Sequence, residues 1–185
     1  LLLLDSDFLG APSWRERIRE IRDGGFRACF SQGINARLPD DETAAALASV
    51  RYSGDDFRVR RIYTAWDNRK DETRLFAGLN ALVRHGVRPG EILVYMLIGY
   101  WPEETHPDRE YRRRRLREFG ALPYPMPYAR DPELVGFQRW VVRRAGLHVS
   151  WKEYSKAEWR PERLRRRVEH PTLFPILRGE DYLPA

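Results

Sequence analysis

The chain has 185 residues, enough for one domain with or without an appendage. Its 42% hydrophobic content supports a core, and its single cysteine, Cys29, excludes an internal disulfide framework and any zinc or iron–sulfur site held by several cysteines of this chain. The formal charge of +6 and a pI near 9.7 point toward polyanions, but unevenly: residues 1–100 carry 15 Lys/Arg against 14 Asp/Glu, and residues 101–185 carry 18 against 13.

In chain order, Leu1–Leu4 are a short apolar run closed by "DSD", which predicts a strand covered on both faces, as in parallel sheets. The run is too short for a signal sequence or a membrane span, and the expectation is a cytoplasmic protein without membrane partners. A buried strand does not stand first without neighbours, so the opening reads as the inside of a larger domain. "APSWRERIREIRDGG" predicts a helix, with Ser13 and Glu16 in capping-box spacing, Trp14, Ile18 and Ile21 on one face, and Gly24-Gly25 at its end. "FRACF" is a strand, "SQGINARLPDD" a polar loop, and "ETAAALASV" a helix by its alanines. "YSGDDF" reads as loop and "VRRIYTAW" as strand. "DETRLFAGLNALVRHG" is a helix, acidic at its start, lined by Leu75, Leu79, Leu82 and Val83 and closed by Gly86. "ILVYMLIGY" is the strongest strand signal, "WPEETHPDREYRRRRLREFG" a loop and helix, and "ALPYPMPYA" a last strand that its prolines assign to an edge.

Strand candidates therefore begin near residues 1, 26, 59, 92 and 121, steps of the size that βα units require, with no hairpin between them. This is a parallel α/β architecture; the period alone leaves open a doubly wound sheet or a curved barrel segment. A GxGxxG after the first strand and a P-loop are both missing. In either fold the ligand lies beyond the carboxyl ends of the strands. Those ends carry Asp5, Asp7, Ser31, Gln32, Asn35, Asp67, Asn68, Gly99, Tyr100, Met126, Tyr128 and Arg130, a polar rim.

Three segments, "GINARLPDDETAAALASV", "RIYTAWDNRKDETRLFAGLNALVRHGVRPGEILVYMLIGY" and "FGALPYPMPYARDPELVGFQRWVVRR", resemble the later strands of a radical S-adenosylmethionine (radical SAM) domain of an uncharacterised bacterial and phage type. The resemblance spans roughly residues 1–155 and lacks the family's decisive CxxxCxxC loop. It implies a partial TIM-type (β/α) barrel that starts at the second strand, over residues 1–146, followed by a basic, Trp-containing extension over 147–185. It further implies binding of S-adenosylmethionine, with a [4Fe-4S] cluster whose ligands lie outside this chain. In the complete protein, reductive cleavage would yield a 5′-deoxyadenosyl radical that abstracts hydrogen from an unidentified substrate. An electron donor such as flavodoxin or ferredoxin is implied with it, and this segment alone would be inactive.

Carried over residue by residue, the resemblance assigns Asp5 and Asp7 to the methionyl amino group, a charge-assisted contact. Gln32 and Asn35 face the cofactor carboxylate or the substrate. Asp67, with Asn68 second, faces the ribose hydroxyls. Ile98 and Gly99 offer an apolar backbone edge to adenine, with the glycine admitting close approach, and Met126 and Tyr128 flank it. The plainer roles remain beside these: turn capping for Asp5 and Asp7, loop bonding for Gln32 and Asn35, helix capping for Asp67, although Asp71 is better placed, and core packing for Ile98. Cys29 reads as a small buried side chain. No residue is singled out as acid, base or nucleophile. "YRRRRLREF" and "RPERLRRRVEH" read as solvated helix faces, and Trp140, Trp151 and Trp159 as packing anchors. Two rival readings stay open: a non-catalytic scaffold, and a nucleic-acid-binding α/β module that uses the basic C-terminal third.

Overall fold

The computed structural model of the protein describes residues 1–5, 7–37 and 40–158, the side chains of 156–158 excepted. Trp159 and the second arginine-rich stretch lie outside the described residues, as does most of the C-terminal extension.

The order of elements is β1 (Leu2–Leu3), α1 (Trp14–Asp23), β2 (Arg27–Phe30), α2 (Asp41–Ser49), β3 (Arg51–Tyr52), β4 (Ile62–Ala65), α3 (Glu72–Arg84), β5 (Ile92–Ile98), α4 (His106–Phe119), β6 (Leu122–Pro127), α5 (Pro132–Val142) and α6 (Trp151–Glu158). All strand pairings are parallel, in two three-stranded sheets ordered β1-β2-β3 and β4-β5-β6. The expected βα alternation is there, with one addition, but the first strand is not covered on both faces as its leucines predict: Leu1, Leu2 and Leu4 are exposed. β3 is only two residues long, too short to show a period, and it ends on the first residue of what reads as loop.

The two sheets meet where the chain leaving β2 runs beside β4. The Ile34 amide donates to the Tyr63 carbonyl at 2.8 Å, and the Ala36 amide to Thr64 Oγ1 at 3.3 Å. Gly33 (φ +86°) lies against β4 here, with only 3.3 Å between its absent Cβ and the Tyr63 carbonyl. The sheets do not close into a barrel among the described residues.

β5 shows how the sequence pattern becomes a core. Ile92, Val94, Met96 and Ile98 are fully buried toward the helices, while Leu93, Tyr95 and Leu97 alternate onto a half-open face. Against them α3 places Leu75, Leu79 and Leu82, all fully buried, and each such side chain contributes roughly 2 kcal/mol of apolar burial. Val83, expected on the same face, is partly buried.

β6 forms an edge, as its prolines require. In the parallel register Val94, Met96 and Ile98 lie opposite Pro123, Pro125 and Pro127. Residues 124, 126 and 128 turn their amides toward β5, as the Tyr128 amide does to the Ile98 carbonyl at 2.9 Å. The prolines fall on the outward amides and leave no donor there for a further strand.

α1 buries Trp14, Ile18 and Ile21 as its spacing predicts. Its capping box does not form: Ser13 makes no cap, and its hydroxyl instead accepts from Arg17 Nε at 3.2 Å. At the other end of the molecule, Trp140 and Trp151 are packing anchors. Trp151 seats α6 on α5 and α4, with ring centroids 5.8 Å from Trp140, 5.7 Å from Phe137 and 5.3 Å from His106. The Trp140 indole donates to the Val149 carbonyl at 2.8 Å. No described helix is long and apolar enough to cross a membrane.

Candidate functional site at the strand carboxyl ends

Helix α4 organises the rim from below. Thr105 and Asp108 close a capping box at its start, with Pro107 in the first turn. That start sets which face turns inward, and Arg109, Arg112 and Leu116 share it. Arg112 is almost wholly buried. Its Nη1 donates to the carbonyls of Trp66 (2.6 Å) and Asp67 (3.2 Å), and its Nη2 to the Leu97 carbonyl (2.9 Å) and to Glu104. Burial lowers the Arg112 guanidinium from its ordinary pKa, against the opposing pull of Glu104 and Asp67. Glu104 in turn accepts the Gly99 amide at 2.6 Å, and Arg109 pairs with Glu133 at 2.8 Å. One helix thus ties together the ends of β4 and β5.

This corrects the reading of "YRRRRLREF" as a solvated face. Arg112 is buried; Arg113 pairs with Glu110 and stacks over Trp140 (4.8 Å); Arg115 pairs with Glu72 (3.0 Å) and lies over Phe76 (5.0 Å). Arg114 stays exposed.

On this scaffold Asp67 is oriented but not consumed. Its Oδ1 accepts the Leu97 amide at 3.1 Å, and among the described residues its other carboxylate oxygen has no partner. Its carbonyl takes the Trp101 indole N–H at 3.3 Å. Capping, the plainer role, falls neither to Asp67 nor to Asp71. Asn68 Oδ1 accepts the Lys70 amide at 2.9 Å, whereas Asp71 caps nothing and binds Arg37 at 3.0 Å.

Beside Asp67 lie three exposed aromatic rings. Trp101 meets Tyr100 at 4.9 Å between centroids, and Tyr100 meets Tyr128 at 4.8 Å, both edge to face. Tyr128 is 62% exposed. Met126, opposite Leu97 in the register, is half-buried next to them.

Ile98 and Gly99 serve the fold here. The Ile98 side chain is fully buried on the helix-facing side, and its carbonyl is taken by Tyr128. The close approach that Gly99 admits is made by Leu134 of α5: a Cβ there would stand 2.3 Å from Leu134 Cδ1, and φ is +75°.

At the ends of β1 and β2 the candidates hold turns. Asp5 Oδ1 accepts the Asp7 amide (3.0 Å), and Asp7 Oδ1 accepts the Gly10 amide (3.3 Å). Asn35 accepts the backbone amide (3.3 Å) and Nε (3.0 Å) of Arg37. Gln32 is exposed and has no side-chain partner among the described residues. The structure thus gathers Asp67, Asn68, Gly99, Met126 and Tyr128 on one side of the rim, and Asp5, Asp7, Gln32 and Asn35 on the other.

Sequence reasoning missed Arg112, Glu104 and Trp101, and a row of tyrosines on the half-open face. Tyr63 stacks on Tyr95 at 5.8 Å, and Tyr95 meets Tyr124 edge to face at 5.7 Å. Burial pushes the Tyr63 phenol up to about 12. The strand alternation that exposes Tyr95 was a usable signal. Compared with family models, with curated proteins and with solved structures, the chain matches none.

The residues present do not fit an iron–sulfur cluster. No described group of three His, Cys, Asp or Glu side chains converges to hold a metal. Cys29 is fully buried, and burial, with Asp55 nearby, raises its thiol to about 11, away from the thiolate that ligation needs.

Proposed function

We propose that the chain is the S-adenosylmethionine-binding part of a radical SAM partial barrel, and that the nucleoside lies at the carboxyl ends of β4, β5 and β6. One observation carries the reading: Asp67 is fixed through one carboxylate oxygen beside the exposed rings of Tyr100, Trp101 and Tyr128. An oriented carboxylate accepts from ribose hydroxyls, and aromatic faces receive a purine. Sequential parallel strands joined at Ile34 and Tyr63 support the curved architecture.

On this reading Asp67 orients the ribose, Tyr128 and Tyr100 cover the base, and the second oxygens of Asp5 and Asp7 face the methionyl ammonium. Bound S-adenosylmethionine would supply a sulfonium carbon bond for cleavage. This chain offers no ligand set for a cluster that would cleave that bond, so the contribution of these residues is binding and orientation.

Titration of S-adenosylmethionine while following tryptophan fluorescence tests this, because Trp101 reports from the rim. Saturable quenching is expected, and Asp67→Asn should weaken it about tenfold or more while keeping the Leu97 contact, since a charge-assisted hydrogen bond is lost. Absence of saturable binding, or affinity indifferent to Asp67→Asn, would overturn the reading.

A further inference from the structure

At the opposite ends of the strands lies a groove of about 460 Å³ that the rim does not involve. Four arginines line it: Arg27 at the start of β2, Arg51 at the start of β3, and Arg58 and Arg60 from the loop that leads into β4. No Asp or Glu is among its lining residues. All four side chains belong to exposed residues, so the groove opens a concentrated positive charge to solvent.

The guanidiniums are aimed but not neutralised. Arg27 Nη1 donates to the Phe57 carbonyl at 3.1 Å, and Arg51 Nη1 to the Gly25 carbonyl at 3.4 Å. Arg58 has no side-chain partner among the described residues. Arg60 lies over the Tyr52 ring at 4.3 Å and stands 3.6 Å from Glu91. That carboxylate is shared with Arg88 at 2.5 Å and with the Tyr52 hydroxyl at 2.5 Å, so it offsets Arg60 only in part. The acids of the same loop are turned to its own backbone: Asp55 Oδ1 accepts the Asp56 amide, and Asp56 Oδ1 accepts the Arg58 amide.

The loop is also held at a local cost. Phe57 is one of two non-glycine residues with positive φ among those described, at 55°. Its carbonyl is the one that receives Arg27. A strained residue that orients an uncompensated arginine fits a binding site better than a passive connection.

We propose that this groove binds polyphosphate, with adjacent phosphate groups taken by Arg27, Arg51, Arg58 and Arg60. Guanidinium forks match phosphate oxygens in pairs, and the volume suits a small ligand, or a short run of a nucleic-acid backbone, which carries the same chemistry. Phe57, half-buried at the wall, adds ring surface on which a nucleoside attached to the phosphates can rest.

The test titrates the whole chain with inorganic tripolyphosphate by calorimetry, and with a labelled single-stranded oligonucleotide by anisotropy. Arg51→Gln/Arg58→Gln removes two groove charges. Arg74→Gln/Arg114→Gln removes two exposed charges from α3 and α4 and serves as the control. Tripolyphosphate binding that weakens with salt and falls about tenfold or more in the groove variant, but not in the control, supports the site. If the oligonucleotide binds with the same variant dependence and tripolyphosphate displaces it, nucleic acid is the source of the phosphates. Affinities equal in the two variants would mean diffuse attraction to a basic chain, and they overturn the proposal, as does the absence of binding. Both variants change exposed side chains, and matching circular dichroism spectra establish that the fold is intact.

Discussion

Helix α4 and the groove at the amino ends of β2–β4 each concentrate arginines, and the surroundings differ. In α4, Arg112 meets three backbone carbonyls and Glu104, Arg109 meets Glu133, Arg113 meets Glu110, and Arg115 meets Glu72. Around the groove, among the described residues, the Arg27 and Arg51 side chains meet carbonyls only, that of Arg58 has no partner, and Arg60 shares Glu91 with Arg88 and Tyr52. Carbonyl oxygens orient a guanidinium without cancelling its charge, whereas carboxylates do both. The densest basic run in the described part of the chain is therefore largely structural, and the open positive charge comes from arginines scattered over 34 residues of sequence.

The strongest way to break this contrast is to remove Arg112. Arg112→Met should destabilise the protein by about 3–5 kcal/mol, because Glu104 stays buried without its closest partner and the Trp66 and Leu97 carbonyls lose their donor. Urea unfolding reads this directly. A loss below about 1 kcal/mol would mean that α4 behaves as a surface helix and that the two regions do not differ in kind.

That contrast also marks what was legible in the sequence. The βα order, the core face of β5 and the edge position of β6 follow from alternation and proline placement, which act locally. The burial of Arg112 does not, because four consecutive arginines present the same residue to every side of a helix. Only the register set by Thr105 and Asp108 decides which one turns in. Similarly, Gly99 reads as a ligand contact until α5 places Leu134 over it. At the rim, Asp67 and Tyr128 lie at the strand ends where they were predicted, while Asn35, Asp5 and Asp7 are matched by amides two or three residues away. The groove escapes sequence reading altogether, since strand pairing joins Arg27 to Arg51 and a long-range hydrogen bond ties Arg27 to the loop that carries Arg58 and Arg60.

Glu91 sits at the border between the regions and should give an intermediate effect. It is buried, and burial alone would raise its carboxyl. Hydrogen bonds from Tyr52 and Arg88, with the charge of Arg60, hold it below the ordinary glutamate value instead. A depressed folded pKa means that its stabilisation is complete above the unfolded value, about 4.3, and fades as pH falls through the folded one. Glu91→Gln should therefore cost about 1–3 kcal/mol at pH 7 and progressively less under acid. The difference in urea midpoint between wild type and variant, followed from pH 7 to pH 3, checks the sign. A difference that grows on acidification would contradict the assigned partners.

The smallest expected effect is the sharpest on the groove side. Among the described residues the Arg58 side chain has no partner to lose, so Arg58→Gln should change stability by no more than about 0.5 kcal/mol at moderate salt. At low salt the variant should be the more stable of the two, because one charge leaves a cluster with Arg27, Arg51 and Arg60. Thermal unfolding at low and high ionic strength reads both. A stabilisation that salt removes identifies unrelieved repulsion, the state from which an anion gains most on binding. A salt-independent loss would show that Arg58 holds the loop, and would move it to the structural side of the comparison with α4.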